Sequence, residues 1–382
     1  MAGIYIHIPF CKRRCIYCNF FSTTSLNLRD AYVDAICSEL ELRSSYLNNA
    51  TVETIYFGGG TPSLLSPEHI SRILYVIYNI YNVHAREITI ECNPDDIFTK
   101  TTSTPDNPCS DFFNLGINRI SIGIQTFQDR LLTLLQRRHN ARQALCAVSN
   151  AQKAGFKNIS IDLMFGLPGQ TLADLQADLE CALSLGIQHL SIYSLQYEEG
   201  TQLTRLLQKG EITESTDDLS RKMYEHIIDA TAKAGFEHYE ISNFALPGHQ
   251  SLHNSSYWQS VPYLGIGAGA HSFNTQSRQY NCESLQAYIN GANNKNIPFE
   301  IEQLTTEEKY NEHVFTALRT SNGLNIHELE QHFGADLKNY CLRMAQKHIT
   351  LGSLTLNYDT LTLSRQGLFI SNDIMSDLMY VG

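Results

Sequence analysis

Hydrophobic and β-branched residues gather in six short runs along the first half of the chain. They are GIYIHI (3–8), VETIYF (52–57), EITIEC (87–92), RISIGI (119–124), NISIDLMF (158–165) and HLSIYSL (189–195). Their length and β-branched content predict strands. Between and after them, apolar residues recur at helical spacing over 28–47, 66–82, 141–155, 171–186 and 218–235. Ser66 followed by Pro67 reads as a cap and first turn, and Gly155 as a helix stop. Strands alternating with helices predict βαβ units on a parallel sheet. One crossover breaks the rhythm. TKTTSTPDNPCSD (99–111) is polar and proline-bearing, so it predicts a loop, with a short helix only over 111–116.

An open doubly wound sheet and a barrel both satisfy this alternation. The polar residues separate them, because they collect where the runs end. A cysteine loop follows the first run and GGGTPS the second. Glu91 lies on the third, Gln125 closes the fourth and Asp162 lies on the fifth. Barrel enzymes gather their functional residues at the C-terminal strand ends. Six units instead of eight predict an α/β chain with a partial, open (β/α)6 barrel over residues 1–235. From about 236 the pattern changes to a Tyr-, His- and Asn-rich connecting segment (236–302). Its glycine-rich YLGIGAGAHSF (263–273) predicts a strand packed closely on another backbone. Residues 303–382 read as helices followed by a hairpin around 357–359, a smaller, mostly helical domain similar to a winged helix.

Composition and charge narrow the function. The chain has 382 residues, a net charge of -11 and ten cysteines. A phosphate-dependent nucleic-acid binder needs a clustered basic surface. Residues 303–382, the winged-helix-like part, hold six Lys/Arg against nine Asp/Glu. No nucleic-acid partner is expected. The N-terminus has no basic stretch before its apolar run, and no apolar run is long enough to span a bilayer. Seven cysteines (37, 92, 109, 146, 181, 282 and 341) show no spacing pattern, unlike a disulfide framework. A cytoplasmic protein is expected.

The other three cysteines carry the chemistry. In HIPFCKRRCIYCNFF (7–21), Cys11, Cys15 and Cys18 are spaced C-x3-C-x2-C, and Phe20 stands where a fourth thiol would follow. A structural zinc site wants four ligands, and His7 could supply the fourth. A redox C-x2-C pair wants a thioredoxin-like setting. An iron–sulfur cube held by three thiolates leaves one iron open to a small molecule.

The motif, with an aromatic before its third cysteine, resembles the radical SAM superfamily. The resemblance implies a 4Fe-4S cluster on Cys11, Cys15 and Cys18, S-adenosylmethionine (SAM) on the open iron, and reductive cleavage of that SAM to a 5′-deoxyadenosyl radical. FGGGTPS, NRISIGIQTF, DLMFGLPGQT, EHYEISNFA and HNSSYW extend the likeness over nearly the whole chain, to the oxygen-independent coproporphyrinogen III oxidase group. Phe20, the short N-terminus and HNxxYW (His253, Asn254, Tyr257, Trp258) match its heme-chaperone branch, HemW, rather than the oxidase branch, HemN. By position the resemblance implies that Tyr5, Gly59 and Glu91 contact the cluster-bound SAM. Tyr17, Gly60, Thr61, Gln125, Arg137 and Asp162 match contacts to a second SAM in the oxidase branch. His253 is the implied axial heme ligand, with His249 and His271 as neighbouring alternatives. The implied partners are heme, acceptor hemoproteins including membrane-associated respiratory enzymes, an electron donor for the cluster, and a second copy of the chain in a homodimer. The alternative activity is oxidative decarboxylation of coproporphyrinogen III.

Overall fold

A computed structural model describes residues 1–98 and 107–381. Six parallel strands lie side by side in chain order: β1 (Ala2–Ile8), β2 (Val52–Gly59), β3 (Val83–Cys92), β4 (Arg119–Gln125), β5 (Ile159–Phe165) and β6 (His189–Ser194). The crossovers carry α1 (Arg29–Leu42), α2 (Pro67–Ile80), α3 (Pro108–Asn114), α4 (Asp129–Leu134), α5 (Ala141–Ala154) and α6 (Leu172–Ser184). Two further helices, α7 (Gln202–Gln208) and α8 (Asp217–Lys233), follow β6. Ser66 caps α2 by accepting from the His69 amide, and Gly155 ends α5 at φ +107. The partial (β/α)6 barrel expected from the strand runs is the observed fold.

The sheet does not stop at six strands. β7 (Glu237–Glu240) and β8 (Asn243–Ala245) form a hairpin whose second strand pairs antiparallel with β6. Past α9 (Leu252–Trp258), β9 (Tyr263–Ile266) pairs parallel with β1. β10 (His271–Phe273), β11 (Ser277–Asn281), α10 (Leu285–Asn293) and β12 (Phe299–Gln303) complete that side. The order is β12-β11-β10-β9-β1-β2-β3-β4-β5-β6-β8-β7. The connecting segment therefore extends both edges of the barrel sheet.

Three local expectations change. The first helix ends at Leu42 and gives way to turns instead of running to 47. α3 starts earlier than expected, at Pro108, because Asn107 caps it by accepting from the Cys109 amide. The remainder of the expected loop, 99–106, lies outside the described residues. The glycine-rich stretch breaks into β9, a turn and β10. At Gly265 a Cβ would lie 1.9 Å from the His271 carbonyl oxygen, and at Gly267 it would meet the His7 carbonyl oxygen at 2.7 Å. Close packing on other backbone is thus what those glycines allow.

The last part of the chain has its own core of Tyr310, Val314, Leu329, Cys341, Leu361, Ile374 and neighbours. It comprises α11 (Thr306–Leu318), β13 (Leu324–Asn325), α12 (Ile326–Thr350), the hairpin β14 (Leu354–Asn357) and β15 (Thr360–Leu363), and two short helices, α13 (Arg365–Leu368) and α14 (Ser371–Leu378). Gly334 interrupts α12 with φ +85 and ψ 171. The two short helices after the hairpin have no counterpart in the sequence reading. Among the described residues no helix is long and apolar enough to cross a membrane.

Candidate functional site

The inner face of the barrel is unusually polar. Outward positions of β1 to β5 are Ile, Phe and Leu at near-zero exposure. The alternate, inward positions carry Tyr5 and His7, Thr54 and Tyr56, Glu87, Thr89 and Glu91, Arg119 and Ser121, Ser160 and Asp162, then His189 and Ser191. A strand directs alternate residues to opposite faces, so one register commits all of these side chains to the interior.

The cysteine loop, residues 9–24, crosses the C-terminal end of this interior. It has almost no regular structure, so hydrogen bonds and side-chain packing hold it in place. The Cys11 amide donates to the Thr23 carbonyl at 2.9 Å, and the Thr23 amide to the Pro9 carbonyl at 2.7 Å. Ile16, 2% exposed, packs in a satellite cluster with Leu131, Leu135 and Leu203, and its carbonyl accepts from the Leu203 amide at 2.9 Å. Lys12 reaches Asp96, just beyond β3, at 2.7 Å.

Polar donors meet the thiols. Arg137 Nη1 lies 3.3 Å from Cys15 Sγ, and Thr61 Oγ1 donates toward Cys11 Sγ at 3.5 Å. Asn93 joins the two, accepting from Arg137 Nη2 at 2.6 Å and donating to Thr61 Oγ1 at 3.1 Å. Arg137 also donates to the Gly123 carbonyl. Gln125 holds φ +70 at the end of β4, and its Nε2 and Arg137 Nη2 both lie over Gly123. Burial pushes the Cys11 and Cys18 thiols up from their usual pKa. Thiolates there need a compensating positive charge, which a metal centre supplies.

The glycine strip completes this end. Glu91 accepts from the Gly59 amide at 3.1 Å and from the Tyr56 hydroxyl at 2.8 Å. Burial raises its carboxyl to about 7, with Asp162 adding in the same direction and Tyr56 opposing. Gly59 holds φ +110, and a Cβ there would lie 2.6 Å from the His7 ring. At Gly60 it would meet the backbone of residues 8–10 at 2.8 to 2.9 Å. Tyr5 donates to His7 Nδ1 at 3.0 Å, which fixes the proton on Nε2, and Nε2 donates to the Phe21 carbonyl at 3.0 Å. Burial lowers the His7 pKa to about 4. His7 is thus a packed, neutral histidine rather than a fourth metal ligand. Asp162, beside Gly123 in register, accepts from Ser121 at 3.1 Å, and burial raises its carboxyl.

Among the described residues, no three His, Cys, Asp or Glu side chains converge closely enough to hold a single metal ion. A four-iron cube takes one thiolate at each of several corners, so three thiols spread along one loop suit it. The raised thiols and the glycine strip beside them agree with a cluster and an adjoining small molecule.

Tyr5, Gly59, Gly60, Thr61, Glu91, Gln125, Arg137 and Asp162 fall at or near this end of the strands, with Tyr17 on the loop itself. His253 does not. It sits near the opposite, N-terminal end, where a Cβ on Gly3 would lie 3.2 Å from its ring. The ring is 1% exposed and stacks on Tyr56 at 5.0 Å. Thr54 Oγ1 is 2.8 Å from its Nδ1, and the Tyr257 hydroxyl 2.8 Å from its Nε2. Burial, then Arg119, lowers its pKa to about 3. Its amide and that of Leu252 are held by Glu87 at 3.0 and 2.8 Å, which docks the start of α9 on the barrel. In this geometry iron could reach a nitrogen only if Thr54 or Tyr257 let go. His249 is half-buried and His271 is exposed on β10 beside Tyr280.

Three residues escaped the sequence reading. Asn93 follows the third strand and carried a positional signal, since barrel chemistry gathers there. Tyr56 and Arg119 lie inside strand runs and look like ordinary strand residues. Arg119 is 1% exposed, with Nε and Nη1 unpartnered.

The Radical SAM superfamily matches residues 5–182 and the HemN C-terminal domain residues 304–370. The chain is similar to the heme chaperone HemW of Bacillus subtilis, 33% identical over 379 residues, 98% of each chain. It is 36% identical to that of Lactococcus lactis over 332 residues, 86% of this chain and 84% of that one. The mitochondrial radical S-adenosyl methionine domain-containing protein 1 of Bos taurus is 32% identical over 400 residues, 99% of this chain and 87% of that one. Among solved structures, coproporphyrinogen III oxidase (HemN) from Escherichia coli superposes with a TM-score of 0.84 at 20% identity, covering 99% of this chain and 90% of that one, a likeness of fold. With a radical SAM barrel, a HemN-type C-terminal domain and full-length identity above 30% to such relatives, the chain belongs to the HemW family of heme chaperones.

Proposed function

We propose that the chain binds heme and hands it to acceptor hemoproteins in the cytoplasm or at the membrane surface, and that Cys11, Cys15 and Cys18 hold a 4Fe-4S cluster with SAM on its open iron. The observation that carries the cluster is the loop of three thiols beside the Gly59–Glu91 contact, with donors from Arg137 and Thr61 at 3.3 and 3.5 Å. When bound, the cluster supplies an electron for the reductive cleavage of SAM. This chain's residues supply the seat. Glu91 orients the Gly59 amide, Tyr5 fixes His7 under the glycines, and Arg137 and Asn93 hold the far side. Tyr17, Gly60, Gln125 and Asp162 remain proposed contacts to SAM, and His253 the sequence's candidate for the heme iron. The heme part of the reading draws on the HemW relatives.

Coproporphyrinogen oxidation is the second reading. Against it stands Phe20, 68% exposed on the loop, in place of the further cysteine of the oxidase branch. The test is anaerobic reconstitution, followed by separate additions of heme and of coproporphyrinogen III with SAM and reductant. About four irons per chain are expected, lost in Cys11→Ala, Cys15→Ala or Cys18→Ala but kept in Cys282→Ala. Heme should give a Soret band, and no protoporphyrinogen IX should form. Stoichiometric zinc without iron uptake would overturn the cluster. Sustained decarboxylation would overturn the chaperone reading.

A further inference from the structure

The seat proposed for SAM and the candidate heme ligand His253 are joined by one side chain. Thr54 and Tyr56 are two positions apart on β2 and so share its inner face. Thr54 Oγ1 lies 2.8 Å from His253 Nδ1. Tyr56, 8% exposed, lays its ring on the His253 ring, with centroids 5.0 Å apart and planes inclined by 26°. At its other end the Tyr56 hydroxyl donates to Glu91 Oε1 at 2.8 Å, while Glu91 Oε2 accepts from the Gly59 amide at 3.1 Å. These groups pack without slack. A Cβ on Gly58 would meet the Tyr56 ring at 2.8 Å, the Tyr5 ring at 2.9 Å and Glu91 Oε1 at 3.2 Å.

His253 cannot take iron as it stands. Nδ1 faces Thr54, Nε2 faces the Tyr257 hydroxyl at 2.8 Å, and the ring is 1% exposed. Glu87 holds the amides of Leu252 and His253, so the start of the helix is fixed as well. Ligation therefore needs a second arrangement in which one nitrogen is free, and whatever fixes the ring opposes it. Tyr56 is such a restraint, and its own hold depends on Glu91. A hydrogen bond to an ionised carboxylate is about twice as strong as one between neutral groups. SAM brings a positive charge, and a cation beside Glu91 keeps the carboxylate ionised. A carboxylate has lone pairs enough to meet that cation and still accept from Tyr56.

We propose that Tyr56 couples the two sites: with SAM seated at Glu91 and Gly59, the Tyr56 ring is locked against His253, and heme ligation by His253 requires that lock to loosen. SAM binding and heme binding then oppose each other. The proposal rests on the heme-chaperone reading, with heme on the HNxxYW helix, and adds to it a rule for when cargo is held and when it is given up. Coupling of this kind is reciprocal, so heme weakens SAM binding by the same factor.

Heme titration of the full, cluster-loaded chain, followed by absorbance with and without saturating SAM, tests it. SAM should weaken heme binding in the wild type about fivefold or more, the lower end of ordinary coupling between sites. Calorimetric titration with SAM should show the same factor when heme is present. Tyr56→Phe keeps the ring and loses the hydroxyl, so it should bind both ligands with the factor falling toward one. Thr54→Val removes the hydroxyl beside Nδ1 and leaves the Tyr56–Glu91 bond, so it should tighten heme binding with and without SAM at an unchanged factor. Retained circular dichroism and iron content report folding of each variant. A wild type that binds the two ligands independently, or binds heme more tightly with SAM, would overturn the coupling and leave the heme-chaperone reading intact. An undiminished factor in Tyr56→Phe would overturn the role of Tyr56. A wild type that binds no heme or no SAM would overturn that reading as well.

Discussion

A carboxylate on the inner face of a strand is costly unless something compensates it, and Glu91 shows how far compensation goes here. It accepts two hydrogen bonds, from Tyr56 and Gly59, yet burial still lifts it from 4.5 to about 7. A carboxyl whose folded pKa is raised binds its proton more tightly in the folded state. Its contribution to stability is then fully present below the unfolded pKa and is lost as pH rises toward the folded one. At about 1.4 kcal/mol per pH unit, the protein without SAM should lose about 2 kcal/mol through Glu91 alone between pH 5 and pH 8. Urea unfolding of wild type and Glu91→Gln at both pH values isolates the effect. The wild type should lose stability relative to the variant as pH rises, and a pH-independent difference would refute the assignment. At this scale the sequence was legible wherever chemistry needs an unusual residue type, as with three cysteines or three consecutive glycines. It marked Asn93 only by its place after the third strand, not by its bond to Thr61, and it was silent about Arg119, whose charge acts on the inward-facing His189 more than 60 positions away.

The cysteine loop has to hold its thiols in place with almost no helix or strand of its own. Its anchoring falls to Ile16, the apolar residue between the second and third cysteines, which is buried against Leu131, Leu135 and Leu203. Replacing such a side chain by alanine costs roughly 2–4 kcal/mol, and here the loss falls on the loop more than on the barrel. Ile16→Ala should therefore release iron to a chelator severalfold faster than wild type, with only a modest fall in melting temperature, while Ile16→Val should be nearly neutral. Equal release rates in all three would mean that the thiols are held by the barrel itself. The six parallel strands were readable because each is a continuous apolar or alternating run between turn residues. The antiparallel additions were not. β12 is exposed at all five positions, and β8 and β10 have three residues each. Such strands are specified by the edge they pair with, which a linear pattern does not display.

Across the whole molecule, two cores meet where the edge strand β7 faces the turn after α11. The Ile241 amide donates to the Arg319 carbonyl at 3.1 Å and the Ser321 amide to the Tyr239 carbonyl at 3.0 Å. Glu240, 3% exposed, places Oε2 3.7 Å from Arg319 Nη2, and that oxygen has no hydrogen bond. The guanidinium also lies over the Trp258 ring at 4.8 Å. None of this junction was visible in the sequence, since a lone Arg in a helical stretch and the second Glu of EHYEISNFA look like surface charges. Burial raises the Glu240 carboxyl, with Arg319 opposing it. Removing Arg319 while keeping its aliphatic bulk, as in Arg319→Met, withdraws the cation that opposes this burial and leaves a buried carboxylate. One-sided removal of a buried pair costs about 3–5 kcal/mol, an upper figure here because the contact is long. The Glu240 carboxyl takes up a proton more readily once the cation is gone, so the penalty should be largest near pH 8 and shrink toward pH 5. Urea unfolding of Arg319→Met at the two pH values measures it. A penalty that is the same at both would show that Arg319 acts through packing on Trp258 and Phe315, not through its charge on Glu240.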